Sequence, residues 1–156
     1  MGIPTYFKLV MGTAVLSIAL VAVCAAAGPA AGWHPDTFRN QRTLQIMTTG
    51  AEEGARWSKL WLVVIDGQLF VRLDGRTFDR VRKNLAGQYV MLKIGDQEFE
   101  RVRLEPAPYM SGKVAAAMAE KYPMDVLIRH ESHPMTARLI AEPLPLQWSG
   151  VPPVSD

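Results

Sequence analysis

The chain has a single cysteine, Cys24, among 156 residues. That excludes a disulfide framework and a thiolate metal cluster, and it excludes a mature catalytic thiol if the segment carrying Cys24 is removed. Net charge is as scarce: it is +2, and basic residues alternate with acidic ones rather than forming a stripe, so nucleic acid is excluded as a partner. There are three histidines, His34, His130 and His133. His130 and His133 flank Glu131, but a four-ligand zinc site would have to recruit scattered carboxylates, so no metal is expected. Ser58, Ser111, Ser132 and Ser149 lack the tight glycine turn that exposes a nucleophile, and Gly50 to Gly54 lacks phosphate-loop spacing. No repeat is apparent at a period of about 20–50 residues. No acid–base reaction centre is evident.

One long apolar run is present. From Leu9 to Ala27 there is no charge, and about 20 apolar residues just span a bilayer. The run is either a secretory signal with Ala25-Ala26-Ala27 as its small-residue cleavage site, or an uncleaved signal anchor. A lipoprotein site at Cys24 is disfavoured by the branched Val23 before it. No twin-arginine pair precedes the run, so the chain would cross unfolded and acquire any cofactor outside. Lys8 and the amino group on one side nearly balance Arg39 and Arg42 on the other, which leaves the orientation open. Residues 1–27 are thus expected to be a signal peptide or anchor, forming an N-terminal hydrophobic helix. The protein is expected to be exported, periplasmic or extracytoplasmic and membrane-anchored, with the membrane as a partner only if the segment stays.

The most informative stretch is Ser58 to Asp74. Two apolar, β-rich runs flank Asp66-Gly67, the strongest short-range hairpin signal, because a type I′ turn needs positive φ at both central residues. Counting out from that turn pairs Val64 with Leu69, Leu62 with Val71 and Leu60 with Leu73 on one face. Trp61 with Arg72 and Val63 with Phe70 lie on the other. Both faces are apolar, so the strands belong to a closed barrel or to a sheet covered on its second face by a helix, a ligand or another subunit.

The remaining elements are set by periodicity and caps. Residues 28–41 read as a linker and a short polar helix capped by Asp36, and Arg42 to Thr49 as the first strand. Gly50 to Arg56 is the connection to the central hairpin. Arg76 to Asn84 reads as a helix with Phe78, Val81 and Leu85 on one stripe. A second hairpin turns at Gly95-Asp96, pairing Leu92 with Phe99 and Tyr89 with Val102; it puts Arg101 and Arg103 on the apolar face unless a bulge intervenes. Ser111 caps a helix through Lys121, a short turn runs from Asp125 to His130, and Thr136 to Glu142 is the last strand. Residues 143–156 form a Pro-rich, disordered tail. The fold class is mainly β (α+β): residues 42–142 form an antiparallel six-stranded split barrel with two or three short helices.

Asp66-Gly67-Gln68-Leu69-Phe70-Val71-Arg72, followed by Asp74-Gly75 and a short helix, resembles the central segment of the flavin-binding split-barrel superfamily, the pyridoxamine 5′-phosphate oxidase-like and deazaflavin-dependent nitroreductase-like proteins. Glu120-Lys121-Tyr122-Pro123 and the strand after His133-Pro134 are similar to the end of an uncharacterised branch of that group. The resemblance runs from Thr43 to Glu142. It implies a homodimer with FMN, a deazaflavin or haem in a groove between subunits. Arg72, Arg76, Arg101 and Arg103 would then meet its phosphate or carboxylates, Lys121 would reach it from the helix end, and Trp61 would stack on its ring.

Each of these residues also has a plainer reading. Arg72 covers Trp61 as a cation–π pair, and the other arginines are solvated or paired with Asp74, Glu98 and Glu100. Trp61, Val63 and Phe70 are core or subunit interface, while Lys121 is solvated and Tyr122 packs. Relatives carry Trp-Tyr in the first helix where this chain has Phe78-Asp79. The two functions to separate are a flavin- or deazaflavin-type oxidoreductase and a non-enzymatic, envelope-associated binding or structural module without cofactor.

Overall fold

The turn at Asp66-Gly67 sets the geometry of the barrel. In the computed structural model, which describes residues 30–123 and 133–144, Asp66 has φ 50° and Gly67 φ 69°. Both central residues are left-handed, as a type I′ turn demands. The turn joins β2 (Gly54–Ile65) to β3 (Gln68–Leu73) with Ile65 opposite Gln68, Val64 opposite Leu69 and Leu62 opposite Val71. Gly95, at φ 57°, opens the second hairpin between β4 (Tyr89–Ile94) and β5 (Gln97–Pro106). With β1 (Thr43–Gly50) and β6 (Met135–Ala141), the strands close into an antiparallel barrel in the order β1-β2-β3-β6-β5-β4.

Two expected pairs do not form. The β2–β3 ladder ends at Leu62–Val71. Beyond it Leu60 and Trp61 pair with Leu44 and Thr43 of β1 on the other edge of β2, and Arg72 and Leu73 with Thr136 and Met135 of β6 on the other edge of β3. The Leu60–Leu73 and Trp61–Arg72 pairs thus lie past the end of the ladder, and in place of the cation–π contact expected for Trp61 and Arg72 the indole stacks on Tyr122. Leu60 and Leu73 still meet the same interior with Leu62, Val71, Leu92, Val102 and Leu139. Each fully buried side chain of this size contributes about 1.5–3 kcal/mol.

Helices cover what the strands leave open. Trp33 and Phe38, on and beside a 3-10 helix at Pro35–Phe38, pack on Phe99 at ring distances of 5.0 and 6.1 Å. That segment has His34 rather than Asp36 at its cap position and makes no side-chain cap bond. The expected polar helix is thus an aromatic plug, tied further by the Ala30 N–H donating to Ala141 O. α1 (Gly75–Arg82) connects β3 to β4 and turns Phe78 and Val81 toward the core. It stops before Leu85, which leaves the expected stripe and lies exposed.

α2 (Ser111–Lys121) lies on the outer face of β2 and β3. A 3-10 turn at Pro108–Met110 leads into it, so Ser111 is its first residue and not its cap. Val114, Met118 and Tyr122 bury Val63 and Phe70 in a second core. The apolar outer wall anticipated from sequence is thereby covered within one chain. Residues 1–29, with the N-terminal apolar run, and the turn bearing His130 lie outside the described residues, as do residues 145–156. Among the described residues, no helix is long and apolar enough to cross a membrane.

Candidate functional site

The six residues singled out by sequence fall in four places. Arg101 and Arg103 form one cluster. β5 carries one more residue than β4 between Phe99 and Val102, so Leu92 faces Phe99 but Val90 faces Val102 and Tyr89 faces Arg103. This bulge keeps Phe99 and Val102 inside and turns Arg101 and Arg103 outward, the reverse of the unbulged expectation. There they converge on Glu142. Arg103 Nε donates to Glu142 Oε1 at 2.9 Å, Arg101 lies 3.8 Å from Oε2, and the Tyr89 hydroxyl donates to Oε2 at 2.7 Å. The Arg101 guanidinium also covers the Tyr89 ring at 4.0 Å. The hydrogen bond from Tyr89, reinforced by the bond and charge of Arg103, holds the Glu142 carboxyl below its ordinary range despite its partial desolvation. Glu142 is thus bonded to Arg103, whereas Arg101 lies only at salt-bridge distance from it and its buried Nε has no hydrogen-bond partner among the described residues.

Trp61 and Lys121 meet at the end of α2. Trp61 stacks on Tyr122 with ring centres 4.8 Å apart. The Lys121 ammonium donates to the carbonyls of Arg39, Gln41 and Leu62 at 2.9, 2.6 and 3.1 Å, which uses its three protons. Burial lowers its pKa, and the charges of Arg42 and Arg39 add to that shift. The Tyr122 hydroxyl accepts from Leu62 N–H at 3.2 Å and lies 2.6 and 2.7 Å from the Arg42 and Leu62 carbonyls. Burial raises its pKa. The pair staples α2 to the barrel. Arg72, half-buried, stands opposite Thr136 and lines neither of the two grooves beside α1.

Arg76 is different. It lies where those two open grooves meet, one of about 730 Å³ between α1 and the β1–β2 turn, the other of about 680 Å³ between α1 and β2. Local chemistry places α1 there. Asp74 caps it, taking the Thr77 N–H at 2.8 Å and the Thr77 hydroxyl at 3.1 Å. Burial pushes the Asp74 carboxyl up, but its bonds from Thr77 and the Arg76 N–H outweigh this and hold it below the usual value. At the other end, buried Asn84 accepts from Thr49 N–H at 2.9 Å and donates to the Gly87 and Tyr89 carbonyls at 3.2 and 2.7 Å. Both ends are fixed.

With Phe78 and Val81 turned inward, Arg76, Arg80 and Lys83 stand at i, i+4 and i+7 and line the larger groove. Arg56 lines it as well, with Glu52, Glu53 and Asp79. Glu53 reaches Arg80 at 3.4 Å and Arg56 at 3.8 Å. Arg76 and Lys83 have no carboxylate within 4.0 Å among the described residues. The smaller groove adds Lys59, Ser58 and Trp57, a residue that is 43% exposed. The arrangement can hold an anion on guanidinium and ammonium groups with an aromatic surface beside it.

Sequence reasoning found Arg76 alone of this set. The stripe Arg76, Arg80 and Lys83 was readable as helical spacing, whereas Lys59, Trp57 and the Gly50–Arg56 turn join it only through the fold. No group of three metal-ligating side chains occurs among the described residues.

No family model matches the chain, and no curated protein does. Among solved structures it is similar to a domain-swapped dimer, at 16% identity and a TM-score of 0.48 over 64% of this chain and 79% of that one. It is also similar to HutZ, the heme storage protein from Vibrio cholerae, at 20% identity and a TM-score of 0.49 over 69% of this chain and 87% of that one. Likenesses this distant assign no ligand, and the site rests on this chain's own residues.

Proposed function

We propose that this chain is a cofactor-binding split barrel that holds the phosphate or carboxylates of a flavin- or deazaflavin-type group in the grooves over α1. The observation that carries this reading is Arg76, placed at the meeting of two grooves with Lys59 and Arg80 beside it and Trp57 within the same lining. Arg76 and Lys59 are exposed and Arg80 is half-buried, so guanidinium and ammonium groups are in reach of a ligand anion. Haem fits less well, because among the described residues the lining of both grooves holds no His, Cys, Met or Tyr to ligate its iron.

When bound, such a group would supply the hydride or electron transfer. The protein's part is binding and electrostatics, which accords with the lack of an acid–base pair in the sequence. In this reading the protein is exported or membrane-tethered through residues 1–27 and works as a homodimer. Purified protein incubated with FMN or a deazaflavin should retain absorbance between about 350 and 460 nm, and Arg76→Gln should lose it. Folded protein that retains none after reconstitution contradicts the proposal.

A second reading, a non-enzymatic envelope module, is favoured by one specific observation. Arg103, Trp61 and Lys121 are all engaged inside the chain. The same spectrum separates the two.

A further inference from the structure

Among the described residues, the larger groove holds a cation without a carboxylate partner near each end of α1, Arg76 at its start and Lys83 just past its end. Arg76 opens that face and Lys83 comes seven residues later, about 10 Å along a helix that rises about 1.5 Å per residue. Arg80 stands between them, held by Glu53 at 3.4 Å and by the Ser58 hydroxyl at 3.5 Å. The two end positions have no carboxylate within 4.0 Å among the described residues. The whole lining sets four cations against three carboxylates, and Glu53 is committed to two of those cations. An anion entering along the helix would meet a charge at each end and could take Arg80 from Glu53 in between.

We infer that the ligand this site favours is an elongated polyanion, with its first anionic group at Arg76, where a single flavin phosphate would also sit, and a second phosphate or carboxylate at Lys83. The inference rests on the proposed anion-binding role of the grooves and names the ligand class within it. The ring-bearing end belongs in the smaller groove beside Trp57, and the chain of the ligand runs along α1 toward the β1–β2 turn.

The test uses the full chain and inorganic anions, with binding of orthophosphate and tripolyphosphate measured by calorimetry at low salt. Wild type should bind tripolyphosphate at least about tenfold more tightly, as one or two added charge-assisted bonds imply. Lys83→Gln should abolish that gain and weaken orthophosphate binding less than Arg76→Gln does, and Arg76→Gln should weaken both. Lys113→Gln, which removes the same charge on exposed α2, should alter neither. Equal affinity for the two anions, or a gain that survives Lys83→Gln, overturns the elongated ligand while leaving an anion site at Arg76. A loss in Lys113→Gln as large as in Lys83→Gln reduces the gain to diffuse attraction and overturns it too. Binding of neither anion overturns both the inference and the anion-binding reading.

Discussion

α2 ends in a lysine whose three protons all point at main-chain carbonyls, whereas α1 is followed by one, Lys83, that lines an open groove. Both helices lie against the barrel, and both carry an apolar stripe onto it. The contrast is in what remains after packing. On α2 the polar groups next to the apolar stripe close the structure, and Trp61, Tyr122 and Lys121 satisfy one another or the backbone. On α1 the stripe is short and the caps at Asp74 and Asn84 do the anchoring, which leaves Arg76 and Lys83 without a carboxylate partner among the described residues. An attractive residue type is thus a poor guide to a site. What counts is whether its bonding capacity is already used.

That contrast can be broken in four ways. The largest effect belongs to Phe70→Ala, which empties the space under α2; it should cost about 3–5 kcal/mol in denaturant unfolding while leaving orthophosphate affinity of the folded protein intact. Tyr122→Phe keeps the stack on Trp61 but leaves buried Leu62 N–H without its acceptor, and it should cost about 1–3 kcal/mol in the same assay.

On the α1 side the order of effects reverses. Arg76→Gln should change stability by less than about 0.5 kcal/mol, as exposed substitutions usually do, yet it should remove retained flavin. A loss of stability as large as that of Tyr122→Phe would make α1 a second staple and erase the distinction.

The smallest stability loss among the barrel's own side-chain bonds is at Glu142. Its carboxyl is held below the ordinary value of 4.5, so the stability that its bonds contribute is complete above that pH and is lost as pH falls through the folded value. Glu142→Gln should therefore lower the unfolding free energy at neutral pH by at most about 1 kcal/mol and flatten its fall in acid. An unchanged acid profile would show that the Tyr89–Arg103–Glu142 cluster contributes nothing.

Much of the barrel could be read from the chain because its signals are local. Asp66-Gly67 and Gly95 each specify a turn, and from each turn the first pairs come by counting, as Leu62–Val71 and Leu92–Phe99 show. Counting fails where the fold intervenes at longer range. The extra residue in β5 reversed Arg101 and Arg103, and the β2–β3 ladder ends at Leu62–Val71, short of Trp61 and Arg72. The site was less legible for the same reason. Lys59 and Trp57 come from a strand, and Glu53 and Arg56 from a turn and the strand it opens; only the packing of α1 against β1, fixed by the Asn84 side chain, brings them beside Arg76.

The most direct measurement compares flavin retention by Arg76→Gln and Arg101→Gln, read as absorbance between about 350 and 460 nm after reconstitution and gel filtration. Arg76→Gln is predicted to lose the cofactor while Arg101→Gln, whose guanidinium lies over the Tyr89 ring and lines neither groove beside α1, keeps it. Retention by Arg76→Gln together with loss by Arg101→Gln would contradict it and move the site to the outer wall of β5.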